Sequence, residues 1–221
     1  MTGSVQPPVE IESLEVGPFS SNCHLLCPAG SARVLLIDPG DDADRILALL
    51  NRRGWSVERY LLTHGHMDHV SALAELINAH PAPVALHPLD AAWAFTAANT
   101  MPPYYPDPPR AAPIERHWAD GQQWTDLGLT YEVWHTPGHS RGSVSLIFRE
   151  AGLLFSGDVL FAGAIGRPDL PDGDARTLAT SLKRLLTLPD EMRVYPGHGG
   201  PTTIGRERKH NPSLRDFGWA G

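Results

Sequence analysis

The 221-residue sequence predicts an α/β fold, on three observations. Short aliphatic runs such as "RVLLI" and "GLLFS" have the length and composition of buried strands. Segments with apolar residues at helical spacing, such as "DADRILALLNRR", lie between the strands. Short loops bearing His or Asp follow several strands, and functional sites of α/β proteins collect at strand ends.

The first half of the chain is predicted to start with a strand pair and to continue by alternation. "IESLEVG" and "NCHLLCP" are expected to pair, and "RVLLIDPG" to form a buried strand closed by Pro-Gly. "DADRILALLNRRG" is predicted as a helix and "VERYLLT" as the next strand. "VSALAELINAH" is predicted as one helix, "APVALHP" as a strand and "LDAAWAFTAAN" as a further helix.

The segment "MPPYYPDPPRAAP" is predicted to be a long surface loop. Proline at this density is incompatible with a regular helix or a central strand. Long loops in compact domains are often functional, so Tyr104 and Tyr105 are candidates for lining a substrate cleft. A solvated spacer is an equally good interpretation.

The second half is predicted to contain four strands and one helix. The strands are "LTYEVWHTPGHS", "SVSLIFRE", "GLLFSGD" and "MRVYPGHG", and the helix "DARTLATSLKRLLTLP" lies between the last two. We interpret residues 1–221 as a single domain, with residues 1–8 a disordered arm.

Composition and charge exclude several classes of partner. The net charge is −7, and the Lys and Arg residues are scattered, so we expect no nucleic-acid partner. No apolar run is long enough to span a bilayer, and the N-terminus lacks the features of a secretory signal. Cys23 and Cys27 would lie about 13 Å apart on one strand, too far for a disulfide. We therefore expect reduced cysteines and a cytoplasmic protein.

The stretch "LLTHGHMDHV" concentrates metal-binding side chains at a predicted strand-to-helix turn. In an extended chain, His64 and His66 point the same way and can bind one ion. Where the chain becomes helical, successive residues rotate by about 100°, so Asp68 and His69 face another point. One loop thus offers ligands to two adjacent sites, whereas a polar helix entry without metal is the alternative.

Three later loops add His139 in "TPGHS", Asp158 in "FSGDV" and His198 in "YPGHGG". The resulting five histidines and two aspartates, without thiolate, suit Zn²⁺, Fe²⁺ or Mn²⁺. Seven ligands divide into three for each of two metals and one bridge. Each metal then keeps an open position, as catalytic metals do.

The ordered set "THGHMDH", "TPGHS", "SGD" and "GHG", with "SNCHLL" and "VLLIDPG" before it, resembles the metallo-β-lactamase fold superfamily. The resemblance implies a four-layer αββα sandwich with a dinuclear site along one edge. It implies that His64, His66 and His139 hold the first metal, that Asp68, His69 and His198 hold the second, and that Asp158 bridges them. Asp68 and Asp158 are then also the candidate catalytic residues.

A dinuclear site of this kind supplies hydroxide at neutral pH for attack on an acyl carbon. A thiolate leaves easily because its conjugate acid has a pKa of about 8.5, whereas an amine or alkoxide usually needs a proton donor. No Tyr or Lys beside the metal motifs clearly serves as that donor, which favours a thioester substrate.

The stretches "LFAGAIGRPDLPDGD" and "YPGHGGPTTIGRERKHNPSL" resemble the short bacterial branch of glyoxalase II, the hydroxyacylglutathione hydrolases. This resemblance implies hydrolysis of S-D-lactoylglutathione by a metal-bridging hydroxide. Zinc is the expected metal, with Fe²⁺ or Mn²⁺ as alternatives. The longer enzymes add a C-terminal helical domain that helps to hold glutathione, and we expect this chain to lack it. We expect a monomer or a small homo-oligomer with a small-molecule thioester substrate.

The resemblance places Arg167, in "IGRPD", at a basic contact for the substrate carboxylates, and Arg141 is a second candidate. The alternative for both is a solvated surface charge. Among the remaining histidines, His24, His80 and His117 are expected at the surface or in turns. His87 and His135 are expected to pack or to orient ligands.

Other functions remain open on the same motifs. Persulfide dioxygenases look similar around "GRPD" and "ERKHNPSL" and use one iron, whose ligands would be His64, His139 and Asp158. "YPGHGG" resembles the hydrolases more closely than the dioxygenases. A lactonase or β-lactamase on the same fold, and a metal-binding scaffold without activity, are further alternatives.

Overall fold

The computed structural model describes residues 8–215, which form a four-layer αββα sandwich. Two six-stranded sheets pack face to face, and helices cover both outer faces. The predicted α/β class and layer order are therefore confirmed. Of the predicted N-terminal arm, residues 1–7 lie outside the described residues. Within residues 8–215, no helix combines the length and apolar character needed to cross a bilayer.

The first sheet has the strand order β1-β2-β3-β4-β5-β6, with antiparallel pairing up to β3 and parallel pairing from β3 onward. Its strands are β1 (Val9–Val16), β2 (Ser21–Pro28), β3 (Arg33–Ile37), β4 (Ser56–Leu61), β5 (Val84–Leu86) and β6 (Arg116–His117). The helices of this half are α1 (Ala43–Arg53), α2 (Met67–Val70), α3 (Leu73–Ala79) and α4 (Pro88–Ala91).

The second sheet has the order β14-β13-β10-β9-β8-β7, and a separate hairpin is formed by β11 and β12. Its strands, with the hairpin, are β7 (Gln123–Asp126), β8 (Leu129–His135), β9 (Val144–Phe148), β10 (Leu153–Gly157), β11 (Leu160–Phe161), β12 (Ala164–Ile165), β13 (Arg193–Pro196) and β14 (Thr202–Thr203). The helices are α5 (Ala175–Leu185), α6 (Ile204–His210) and α7 (Pro212–Arg215).

Burial on both faces explains why the central strands read as continuous apolar runs. In β3, Leu35 and Ile37 face the core between the sheets, whereas Val34 and Leu36 face the core beneath α1 and α3. Parallel strands covered on both sides are expected to be apolar at every position. The free cysteines Cys23 and Cys27 are both buried on β2.

The single helix predicted for "VSALAELINAH" is wrong, because Val70 ends α2 and Leu73 begins α3. A tertiary hydrogen bond interrupts the helix at Ala72, whose N donates to Pro39 O (3.2 Å). Ser71 N is shared between the helical acceptor Met67 O (3.0 Å) and Gly40 O (3.1 Å). The helix predicted for "LDAAWAFTAAN" is also too long, since α4 ends at Ala91 and turns follow.

A buried ionic cluster joins the two sheets at the edge formed by β6 and β7. Asp126 accepts hydrogen bonds from Arg116 Nη1 (2.7 Å), Arg59 Nε (3.2 Å) and Tyr131 Oη (2.7 Å). Burial favours the neutral acid, but the guanidinium of Arg116, the hydroxyl of Tyr131 and the charge of Arg59 outweigh it and lower the pKa of Asp126. Arg59 and Arg116 come from the first sheet and Asp126 from the second, so this carboxylate contributes to sheet–sheet packing.

Replacing this buried carboxylate should therefore destabilise the fold. We expect Asp126→Asn to lower the free energy of unfolding by about 3 kcal/mol at neutral pH, because two buried cations lose their counterion. Because the pKa of Asp126 is depressed in the folded state, this difference in the free energy of unfolding has its full size above the unfolded-state pKa of about 3.9. It disappears as the pH falls through the folded-state pKa. Urea unfolding of the parent and the variant as a function of pH measures the difference.

The matched control is Glu75→Gln, which removes a carboxylate from the exposed Glu75–Arg110 pair (3.9 Å). Exposed pairs contribute about 0–1 kcal/mol, so this variant should unfold like the parent. Equal effects of the two substitutions would contradict the role given to Asp126.

Candidate metal centre

The polar strand-end loops of both sheets meet at one edge of the sandwich. Because β3 and β4 are parallel, their carboxyl ends lie together, and β8, β10 and β13 run in a common direction in the other sheet. Hydrogen bonds join the two sheets here, from Val144 N to Thr63 O (2.8 Å) and from Asn22 N to Gly197 O (2.6 Å). All seven metal-ligand candidates of the sequence analysis come together at this edge.

His64, His66 and His139 form the first half-site, in which one nitrogen of each ring lies within 4.8 Å of the others. His66 Nδ1 lies 2.9 Å from His139 Nε2. His64 and His139 are almost fully buried. Three imidazoles converging on one point are a donor set for a divalent transition metal.

Asp68, His69 and His198 form the second half-site. His198 Nε2 lies 3.4 Å from His69 Nε2 and 3.3 Å from Asp68 Oδ2. The latter oxygen is also 3.5 Å from His69 Nε2. His69 follows Asp68 in the short helix α2, and both side chains join His198 in this half-site, although the ring of His69 stays 4.2 Å from the ring of His64.

Asp158 lies between the two half-sites. Its Oδ2 atom is 3.5 Å from His139 Nε2 in the first half-site and 3.4 Å from His198 Nε2 in the second. Its Oδ1 atom is 3.5 Å from His69 Nε2. This carboxylate therefore contacts ligands of both half-sites, which is the position a bridging ligand requires.

Two buried atoms of this cluster have no hydrogen-bond partner within the described protein: His64 Nε2 and Asp158 Oδ1. Leaving a buried polar atom unpaired costs about 1–3 kcal/mol, so a cation at this place would compensate both atoms. The imidazole and carboxylate donors, without thiolate, match Zn²⁺, Fe²⁺ or Mn²⁺. The residues therefore fit a divalent-metal centre.

Backbone carbonyls fix the orientation of two of the rings. His139 Nδ1 donates to Arg167 O (3.0 Å), and His198 Nδ1 donates to Phe19 O (3.1 Å). A proton on Nδ1 leaves Nε2 with its lone pair directed at the centre. The loops that contain Phe19 and Arg167 thus take part in ligand orientation through their main chain.

Side chains orient two further rings. His69 Nδ1 donates to Asp38 Oδ2 (3.2 Å), and His64 Nδ1 donates to Thr63 Oγ1 (3.1 Å). The Thr63 hydroxyl donates in turn to Asp38 Oδ2 (2.6 Å), and Thr63 N donates to Asp38 Oδ1 (2.7 Å). Asp38 also groups with His64 and His69 as a possible metal ligand, but these hydrogen bonds already occupy its oxygens.

Sequence reasoning missed the roles of Asp38 and Thr63. The pattern of "LLIDPG" predicts only a strand and its turn, although an aspartate directly after a buried parallel strand is a signal for the same edge. Thr63 is the first residue of "THGHMDH", but its residue type gives no signal for a role in orienting ligands. Both roles depend on β3 and β4 being neighbours in the sheet.

The ionisable groups of the centre shift one another's pKa values. Burial lowers the pKa of His69 and His198, but the carboxylates of Asp68 and Asp158 outweigh burial and raise these pKa values to about 9 and about 10. Burial likewise favours neutral Asp158, yet the surrounding histidines hold its pKa well below the usual range. In contrast, burial and His139 lower the pKa of His66 to about 3. The aspartates are therefore ionised at neutral pH and available to cations.

A cleft of about 450 Å³ opens above the centre, and Asp68, Asp158 and His198 are part of its lining. Its walls are largely apolar and include Phe19, Trp93, Met101, Phe161 and Leu170. Such walls exclude water and suit the carbon skeleton of a small organic ligand.

Of the two arginine candidates, Arg167 lines the cleft and Arg141 does not. The guanidinium of Arg167 forms two hydrogen bonds with Asp169, at 3.0 and 2.8 Å, and both side chains are exposed. Arg141 pairs with Asp172 (3.1 Å) at the surface.

The candidate tyrosines support the cleft from behind instead of lining it. Their rings pack on Phe19 with centroid separations of 5.1 Å for Tyr104 and 5.5 Å for Tyr105. The proline-rich loop therefore supports the Phe19 segment, whose carbonyl orients His198.

The expectation of a surface position for His24 is wrong. His24 is buried on β2, where its ring contacts Ser13 Oγ (2.7 Å) and Pro196 O (3.0 Å). His24 does lie in the strand predicted for "NCHLLCP", but its ring faces the neighbouring sheet instead of solvent. His87 and His135 stack on each other at 4.5 Å, and neither belongs to the clusters of candidate metal ligands among the described residues.

Comparison with known proteins gives the same family on independent grounds. The family model for the metallo-beta-lactamase superfamily matches residues 16–198. A Bacillus subtilis protein called "Probable metallo-hydrolase YqgX" is 36% identical, over 92% of this chain and 97% of its own length. The hydroxyacylglutathione hydrolase GloC of Haemophilus influenzae is 34% identical, over 93% of this chain and 98% of its own length.

Solved structures agree over nearly the whole fold. The B3 metallo-beta-lactamase BLEG-1 superposes with a TM-score of 0.86 at 35% identity, covering 93% of this chain and 99% of its own. TTHA1623, in a di-iron-bound form, gives 0.80 at 42% identity, covering 91% and 98%. ETHE1 from Myxococcus xanthus gives 0.77 at 28% identity, covering 94% and 85%. The chain belongs to the metallo-beta-lactamase superfamily.

Proposed function

We propose that the protein is a metal-dependent thioester hydrolase that cleaves S-D-lactoylglutathione or a related hydroxyacylglutathione, with two divalent metal ions. The single observation that carries the proposal is the position of Asp158 between the half-sites, with contacts to His139 and His198 on opposite sides. Similarity to GloC supports the substrate class, and the di-iron form of TTHA1623 supports two metals.

The first half-site would hold one ion and the second half-site the other, with Asp158 shared between them. Zinc is the metal we propose, with iron or manganese as the alternatives that the same donors accept. When bound, such ions lower the pKa of a shared water and polarise an acyl carbonyl.

Asp68 is the side chain best placed to accept a proton during hydrolysis. Its carboxylate lines the cleft, and His69 and His198 outweigh burial to lower its pKa, so it is ionised at neutral pH. His198 and His69 hold its Oδ2 atom at 3.3 and 3.5 Å. Because it is ionised and lines the cleft, Asp68 is the acceptor that we propose for a proton released during hydrolysis.

The composition of the cleft favours a leaving group that needs no dedicated acid. Neither Lys nor Tyr is among the described residues that line it. A thiolate is a good leaving group because the pKa of its thiol is about 8.5, whereas an amine or alkoxide would need protonation. The apolar walls around Trp93 and Phe161 keep bulk water away from the acyl carbon.

Arg167 is the proposed contact for a carboxylate of the substrate. Among the described residues that line the cleft, it is the one Lys or Arg, and its exposed guanidinium forms two hydrogen bonds with Asp169. A planar guanidinium binds a carboxylate through two parallel hydrogen bonds, which suits the glycyl end of glutathione.

The main rival is a mononuclear-iron dioxygenase that acts on glutathione persulfide, using His64, His139 and Asp158. The fully assembled second half-site favours the hydrolase, because a single iron would leave His69, His198 and Asp68 without a role. Metal analysis of the purified protein, combined with a thioester hydrolysis assay, separates the two. Two metal equivalents with hydrolysis support our proposal, whereas one iron with O₂ uptake on glutathione persulfide would exclude it.

Removing the bridging carboxylate tests the dinuclear arrangement. We expect Asp158→Ala to bind fewer metal equivalents and to lose at least about 100-fold in turnover, since one ligand is lost and two histidines lose their anionic neighbour. The matched control Asp44→Ala removes an exposed aspartate of α1 and should behave like the parent. Metal content and initial rates are the measurements, and near-parental turnover of Asp158→Ala would refute the mechanism.

The role of Arg167 predicts a specific kinetic signature. Arg167→Ala should raise KM by up to about 5-fold with little change in kcat, because an exposed ionic contact to a distant carboxylate stabilises substrate and transition state equally. Arg141→Ala is the control, since Arg141 lies outside the cleft lining and should leave KM unchanged. Steady-state kinetics decides, and an equal fall in kcat for Arg167→Ala would assign it to the chemical step instead.

A further inference from the structure

We infer that two buried side chains outside the ligand set position the two half-sites separately, Asp90 the first and Asn22 the second. The inference rests on the proposed metal centre, but it concerns metal affinity and not the substrate. Asp90 belongs to the short helix α4 and Asn22 to strand β2, so neither follows from the metal motifs.

Asp90 connects the two loops that supply the first half-site. Its Oδ2 atom accepts hydrogen bonds from Gly65 N (2.9 Å) and Ser140 Oγ (2.6 Å), and its Oδ1 atom accepts from Gly142 N (2.6 Å). Gly65 lies between His64 and His66, whereas Ser140 and Gly142 follow His139. One fully buried carboxylate thus fixes the backbone on both sides of the three-histidine cluster.

Close approach explains why two of these donors are glycines. A Cβ atom at Gly142 would lie 2.5 Å from Asp90 Oδ1, and a Cβ atom at Gly65 would lie 3.1 Å from Asp90 Cβ. The hydrogen bond from Gly142 therefore needs a glycine, whereas a side chain at Gly65 would require Asp90 or Ala94 to shift by a few tenths of an ångström. The site is built for this carboxylate, which distinguishes it from a polar residue that is buried by chance.

Asn22 plays the corresponding part for the second half-site. Its Nδ2 atom donates to Pro196 O (3.0 Å) and Gly199 O (2.8 Å), and its main-chain N donates to Gly197 O (2.6 Å). These carbonyls surround His198 in the sequence: Pro196 ends β13 of the second sheet, and Gly197 and Gly199 lie in the loop that follows it. The preceding residue, Ser21, donates through Oγ to Asp68 O (2.6 Å), so the start of β2 contacts two ligand segments of the same half-site.

Replacing Asp90 or Asn22 should lower the metal affinity of one half-site only. An amide in place of the Asp90 carboxylate must direct its NH₂ group at a donor, so Asp90→Asn loses at least one hydrogen bond and frees the first half-site loops. Asn22→Ala removes both side-chain hydrogen bonds to the His198 loop. Removal of groups that orient metal ligands typically costs 10–100-fold in affinity.

The experiment measures zinc affinity in two single-site backgrounds. His198→Ala retains the first half-site and His139→Ala retains the second, and competition with a chromophoric chelator gives the dissociation constant of each. We expect Asp90→Asn to raise the zinc Kd about 10–100-fold in the His198→Ala background and to leave the zinc Kd of the His139→Ala background almost unchanged. Asn22→Ala should raise the zinc Kd in the His139→Ala background and leave that of the His198→Ala background almost unchanged.

Controls separate positioning from general destabilisation. Asp44→Asn makes the same chemical change on the exposed face of α1 and should alter neither dissociation constant. Should Asp90→Asn fail to fold by circular dichroism, Ser140→Ala removes one of the three hydrogen bonds to Asp90 and should give a smaller shift with the same selectivity.

Equal weakening of both half-sites by Asp90→Asn, or no weakening at all, would overturn the inference. So would an Asn22→Ala variant that weakens the first half-site. Failure of the proposed function gives a different result: the two single-site backgrounds would then bind zinc selectively in these tests, while the parent protein would not hydrolyse the thioester.

Discussion

The burial of ionised carboxylates among histidines, at the edge where two sheets meet, is the constraint on which the site depends. Asp68 and Asp158 are both nearly inaccessible to solvent and lie within about 3.5 Å of imidazole nitrogens. Burying a charge without compensation is very costly, so these groups persist only where a cation or a protonated imidazole shares their environment. The carboxylates raise the pKa values of His69 and His198, because a protonated ring neutralises part of their negative charge. A bound divalent metal would neutralise more of it.

The fold meets this constraint through a division of roles between strands and loops. Parallel strands carry the loops to one edge, and the two sheets are joined there by hydrogen bonds through Thr63 and Asn22. Ring orientation comes from groups that are not ligands: the carbonyls of Phe19 and Arg167, and the Asp38–Thr63 pair. The same segments form the cleft, because Phe19 and Arg167 each supply a carbonyl to a ligand histidine and a side chain to the cleft wall. The candidate metal centre and the cleft above it therefore share the segments that contain Phe19 and Arg167.

Much of the fold was predictable because its central elements have strong local patterns. The paired strands β1 and β2, the buried strand β3 and the helices α1 and α5 follow from apolar runs and helical spacing. The errors lie where tertiary contacts override local preference. Ser71 and Ala72 donate to the β3–α1 loop, which divides a segment with continuous helical spacing into α2 and α3. Short strands such as β6 and β14 have two residues each, too few to produce a periodic signal.

The α/β class, the family resemblance and the seven candidate ligands were predictable from the chain alone, because "THGHMDH", "TPGHS", "SGD" and "GHG" are contiguous motifs with a chemical meaning at fixed spacing. The groups that orient those ligands could be identified only in the folded molecule. Asp38, Asp90 and Asn22 act through partners 25 to 177 positions away in the sequence. A hydrogen bond between segments so distant leaves no local pattern, since it exists only once both sheets have folded and brought their strand ends together.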